Sequence, residues 1–116
     1  MLTGTMLQLM EQTALDVMIL TDEIGEEEFF ASRITRSETL RQLKSLTRII
    51  ADLPAATRDA MPEIDWPAWA TLAGILRKPT THPLQIWVAI KELTPLTVQR
   101  LHNYKKRMPQ LFSVVP

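Results

Sequence analysis

The chain contains no cysteine. That absence rules out disulfides, zinc–thiolate centres and cysteine nucleophiles, and it fits a reducing, cytoplasmic setting. Neither sign of charge is in excess, because 13 basic side chains balance 13 acidic ones. Attraction to a polyanion or a membrane surface must therefore come from a local patch and not from net charge. No apolar run reaches the roughly 18 to 20 residues that would span a bilayer. The opening segment MLTGTMLQLMEQ has neither the basic region nor the cleavage site of a signal peptide. Glycine occurs only three times, and no segment alternates like a strand. With 116 residues, one domain spanning 1–116 is expected, large enough for a single core.

Leu, Ala, Met, Glu, Lys, Arg and Gln are plentiful and favour helices. Residues 5–24 place Leu7, Met10, Ala14, Val17, Met18 and Ile24 near helical spacing, with Gly25 as the expected C-cap. Leu9, Leu15, Ile19 and Leu20 widen that stripe, so this helix is either central or shared with a partner. Because a monomer rarely exposes so much apolar surface, the wide stripe points to a dimer. A short helical turn follows at 26–32. Thr35-Arg36-Ser37-Glu38 reads as a capping box that opens a helix over 36–53. Leu40, Leu43, Leu46, Ile50 and Leu53 form its inner face, while Arg41, Lys44 and Arg48 lie on the other side.

Pro54 and Pro62 break the next segment, leaving a helical turn at 55–60. Asp65 is placed to cap a helix over 66–77 that must stop before Pro79. The last helix runs from Pro83 to about Arg107, kinked or restarted at Thr94-Pro95. The fold class predicted is all-α: four to five helices in an up-and-down bundle.

The candidate chemistry lies in LRKPTTHP, residues 76–83. On an unbroken helix, five residues rotate a side chain by roughly 140°, so Arg77 and His82 would not share a face. The proline break puts Arg77 at one helix C-terminus and His82 beside the N-terminus of the next, an electropositive end that keeps imidazole neutral. Arg77 offers a permanent planar cation for phosphate oxygens, and His82 offers a base. These are the parts of metal-free RNA cleavage: the histidine takes the 2′-hydroxyl proton and the arginine stabilises the phosphorane. Lys78, Thr81 and Arg48 are the candidate substrate contacts, and no metal or cofactor is expected. The alternative is a solvated loop in which Thr80 or Thr81 caps the last helix. The basic row Arg41, Lys44 and Arg48, preceded by Arg33 and Arg36, is either an RNA contact or a solvated face. The acidic corner of Asp22, Glu23, Glu26, Glu27 and Glu28 reads as solvated charge.

The segments MPEIDWPAWATLAGILRKPTTH (61–82), EEEFFASRITRSETLRQLKSL (26–46) and IWVAIKELTPL (86–96), taken in order, resemble the HepT-like family of the HEPN superfamily. The resemblance covers most of residues 5–104. It implies an all-α, HEPN-like bundle that forms a homodimer in which Arg-x4–6-His motifs of two copies share a cleft. It also implies a toxin-type, metal-independent RNase paired with a minimal nucleotidyltransferase antitoxin. Carried over by position, Arg77 and His82 are the RNase pair. Lys78 stands where a small polar residue is usual, and Leu84 stands where some relatives carry the tyrosine that receives AMP. His82 and Trp87 are closer together than the family pattern has them, and Thr47-Arg48 replaces a Gly-Glu pair. A reading from another class is a noncatalytic helical binding or adaptor subunit beside a nucleotidyltransferase.

Overall fold

Two long helices organise the chain. In the computed structural model, which describes residues 2–113, α1 spans Thr3–Leu20 and α3 spans Arg33–Asp52, and the two pack along one another. The rest is helical too, in shorter pieces: α2 (Glu26–Ala31), α4 (Ala55–Asp59), α5 (Trp66–Ile75), α6 (Pro83–Val88), a π-helical turn (Ala89–Leu93), α7 (Thr94–Arg107) and a 3₁₀ turn (Pro109–Phe112). No strand occurs among the described residues, so the all-α expectation holds.

The unusual width of the α1 stripe is explained inside the chain. α3, α7 and the 3₁₀ turn all pack on α1, burying Leu7, Met10, Ala14 and Val17. Leu9 and Ile19 stay exposed, at 42% and 71%. The central-helix alternative therefore accounts for most of the stripe, and its width no longer argues for a second copy. Gly4 shows how tightly the 3₁₀ end closes over α1: a Cβ there would meet Ser113 O at 2.0 Å. Gln8 Nε2 donates to Phe112 O at 3.2 Å in the same contact. One core cluster runs through these elements and includes Phe29, Leu43, Leu46, Trp69, Ile90 and Leu101.

Several helix ends differ from the sequence reading. α1 stops at Leu20, not beside Gly25, and the Thr21 hydroxyl donates back to Val17 O at 2.8 Å. Glu23 adopts a positive φ of 60°, which helps reverse the chain. Gly25 then stands at the N-cap of α2. α3 begins three residues before the predicted capping box, with the Ser32 hydroxyl accepting from Thr35 N at 3.3 Å. The Thr35 hydroxyl lies one turn too late to cap; Thr39 Oγ1 donates to Thr35 O at 2.7 Å within the helix.

The break expected at Thr94-Pro95 is present as a widened turn. Pro95 has no N–H to continue the α pattern, and the π turn absorbs the mismatch. The buried Thr94 hydroxyl donates to Ala89 O at 2.8 Å, and the Thr97 hydroxyl donates to Leu93 O at 2.7 Å. Among the described residues, no helix is long and apolar enough to cross a membrane.

Candidate functional site

α5 delivers the candidate segment, and its own placement is firmly determined. The Asp65 carboxylate caps it by accepting from Ala68 N at 3.1 Å, with Pro67 in the first turn. Fully buried Trp69 donates its indole N–H to Thr97 Oγ1 at 3.0 Å, tying α5 to α7. Trp66 donates to Met61 O at 3.0 Å and to Arg58 O at 3.1 Å. α5 ends at Ile75, two residues before the predicted end. Arg77 N and Lys78 N make tighter bonds to Gly74 O and Ile75 O, at 3.3 and 3.0 Å. Pro79 prevents any continuation.

The loop then folds on itself around one carbonyl. Lys78 O accepts from Thr81 N at 3.1 Å and from the Thr81 hydroxyl at 2.7 Å. Thr81 Oγ1 also lies 2.8 Å from His82 Nδ1. A hydroxyl has a single hydrogen, so it serves one of these two neighbours as donor and the other as acceptor. With the hydroxyl hydrogen on Lys78 O, Nδ1–H of His82 donates in the second bond; with the hydroxyl turned to the ring, Nδ1 accepts. The first arrangement belongs to the form protonated on Nδ1, in which Nε2 of a neutral ring has its lone pair available on an exposed side chain. His82 itself opens α6, with Ile86 N donating to its carbonyl at 3.2 Å. Thr81 thus orients the histidine. It does not cap α6 with its side chain, which has no side-chain cap.

Arg77 faces elsewhere. It lines a groove of about 430 Å³ between α3 and α5, together with Lys44, Thr47, Arg48, Ala51 and Leu76. Ion pairs among the described residues are Arg41–Glu38, Lys105–Glu11 and Arg107–Glu63. Lys44, Arg48 and Arg77 take part in none of them, and no carboxylate lines the groove. Three uncompensated cations therefore share one concavity.

The basic row on α3 is divided accordingly. Arg41 is paired with Glu38, whose carboxyl is held below its ordinary value of 4.5, first by the hydrogen bond from Arg41 and then by that from Gln42. Arg36 donates to Phe30 O. Arg33 is exposed, as are all five members of the acidic corner.

Of the predicted site residues, Arg77 and Arg48 come together in the groove, and Thr81 and His82 come together in the loop. Lys78 joins the second group through its carbonyl, with its side chain exposed. His82 is not among the residues that line the groove of Arg77. Lys44 was legible as a basic residue one turn from Arg48, but its convergence with Arg77 depends on a long-range contact between α3 and α5. Comparison with protein-family models, with curated proteins and with solved structures finds no match.

Proposed function

We propose that this chain is a HepT-like protein of the HEPN type that binds RNA and cleaves it without a metal, working as a homodimer beside a minimal nucleotidyltransferase antitoxin in the cytoplasm. The observation that carries the reading is the bonding at His82. Thr81 Oγ1, itself bonded to Lys78 O, holds Nδ1 of the exposed His82, and the Nδ1-protonated form of that ring has a free Nε2 lone pair. That is the state a general base requires before it acts.

In the proposed reaction, Nε2 removes the proton of a ribose 2′-hydroxyl. The 2′-oxygen attacks the adjacent phosphorus, and the 5′-oxygen leaves with a proton returned by the imidazolium. The products are a 2′,3′-cyclic phosphate and a 5′-hydroxyl. Arg77 stabilises the charge that grows on the phosphorane oxygens. Arg48, Lys78 and Thr81 belong to the substrate side of this site, Thr81 by orienting the base. Pairing of two copies brings a second Arg77–His82 segment into the same cleft, so a histidine of one copy works with an arginine of the other.

A second reading is a noncatalytic RNA-binding or adaptor subunit. It is favoured by the position of His82 outside the groove that Arg77 lines, and by Leu84 at the position of the modified tyrosine. One assay separates the two. Purified protein is incubated with RNA in EDTA, beside His82→Ala and Arg77→Ala. Cleavage to cyclic phosphate ends that disappears in both variants supports the enzyme. Equal absence of cleavage in all three, with RNA binding retained, leaves the adaptor.

A further inference from the structure

A second hollow lies further along α3 from the cationic groove. This one, of about 270 Å³, is lined by Phe30, Arg36 and Leu40 on one side and by Pro79, Thr80 and Pro83 on the other. α3 contributes to both hollows. Arg36 and Leu40 serve the first, and Lys44 and Arg48 serve the second. These four residues are spaced by four, so they form one slowly winding stripe about 18 Å long. The loop of residues 76–83 flanks the stripe throughout, with Leu76 and Arg77 at the cationic end and Pro79 to Pro83 at the other. Leu40 and Lys44 are one turn apart, and Arg77 and Pro79 are two residues apart, so the two hollows adjoin.

Their linings differ in chemistry. The first is walled by an aromatic ring, prolines and aliphatic side chains, with a single guanidinium whose fork is only partly used by Phe30 O. The second presents three cations without ion-pair partners. A flat apolar group joined to repeated negative charges matches that order, and a single-stranded nucleic acid is such a ligand. Its bases stack on aromatic or guanidinium planes while its phosphates follow cations. We infer that one RNA strand runs along α3, with a base in the pocket between Phe30 and Pro83 and the neighbouring phosphates over Lys44, Arg48 and Arg77. This track rests on the reading of the chain as an RNA binder but does not depend on cleavage. It assigns the strand-holding role to Lys44 and the base-holding role to Phe30 and Arg36.

The test uses the full chain and a 2′-O-methylated RNA octamer, which has no 2′-hydroxyl to attack, with affinity followed by fluorescence anisotropy over a salt series. Lys44→Ala combined with Arg48→Ala is expected to weaken binding about tenfold at physiological salt. The same pair should lower the salt slope by about 1.4, the share of two single-strand phosphates. Thr80→Trp, a change at an exposed position that fills the pocket, is expected to weaken binding of the octamer while leaving an abasic phosphodiester chain unaffected. Unchanged affinity and slope in the double variant overturn the track, whatever the protein does to natural RNA. Competition by polyglutamate at equal charge concentration, as effective as the RNA itself, also overturns it in favour of an acidic protein ligand. Binding with the expected variant pattern in a protein that does not cut natural RNA supports the track and defeats the nuclease reading.

Discussion

Two of the proline interruptions in the second half of the chain have opposite results. At Thr94-Pro95 the interruption is sealed: the helix widens by a π turn, and the Ala89 carbonyl accepts from both the backbone N–H and the buried hydroxyl of Thr94. At Pro79 to Pro83 the interruption stays open. Thr80, Thr81 and His82 are exposed, and a threonine hydroxyl is spent on ordering a histidine. Both breaks use a threonine to satisfy a backbone carbonyl. One serves the core, where an unpaired polar group is costly. The other serves a surface where a reactive nitrogen can meet a ligand. A proline break therefore becomes functional not by breaking the helix but by leaving something unpaired at the surface.

The largest expected effect falls on the open break. His82→Ala should lower RNA cleavage by about 10²- to 10⁴-fold, the usual contribution of a general base, with little change in melting temperature. Comparable cleavage by the variant removes the catalytic side of the contrast. Next comes the sealed break. Thr94→Val keeps the side-chain volume but removes the buried hydroxyl bond, leaving the Ala89 carbonyl with the Thr94 N–H alone. It should cost about 0.5–1.5 kcal/mol, visible as a melting temperature lower by about 2–6 °C. A melt unchanged from the parent would mean that the π turn needs no such bond.

The equivalent change at the open break should behave differently. Thr81→Val should leave stability within about 0.5 kcal/mol yet lower cleavage about tenfold, because the imidazole loses the hydroxyl that holds Nδ1. Thr81→Ser should restore the rate, since serine keeps the hydroxyl. Failure of serine to rescue would separate the histidine from its proposed orienter.

The smallest effect lies outside both breaks, on the paired part of α3. Glu38 has a depressed pKa in the folded chain, through its bonds from Arg41 and Gln42. Its contribution is thus present above the ordinary glutamate value and is lost as the pH falls through the folded value. The pair is solvent-exposed, so Glu38→Gln should produce only a slight flattening of acid sensitivity in a melt-versus-pH series.

The sequence announced these features unevenly, for physical reasons. Proline is a hard local constraint, so both breaks, the α5 cap at Asp65 and the turn at 55–59 could be read residue by residue. Helix ends set by competing hydroxyls were harder. Ser32 and Thr35 are both plausible caps, and only the packing of α2 against α3 favours the first. The stripe on α1 was clear, but its meaning was not. Whether a wide apolar face is covered by α3 and α7 or by another copy is decided by tertiary contacts. At the site, Arg77 and His82 stood out as residue types with the right proline between them. The Thr81 contact to Nδ1 could not be foreseen, because it follows from a hydroxyl geometry three atoms wide. Nor could the shared groove of Lys44, Arg48 and Arg77, which joins residues about thirty positions apart.

The most direct test of the account is the protonation pattern of the His82 ring, read from long-range nitrogen–proton correlations in a ¹⁵N-labelled sample above the imidazole titration. The account predicts a protonated Nδ1 and a bare Nε2 for His82, with that preference lost in Thr81→Val. A proton found on Nε2, or a pattern indifferent to Thr81, would contradict it.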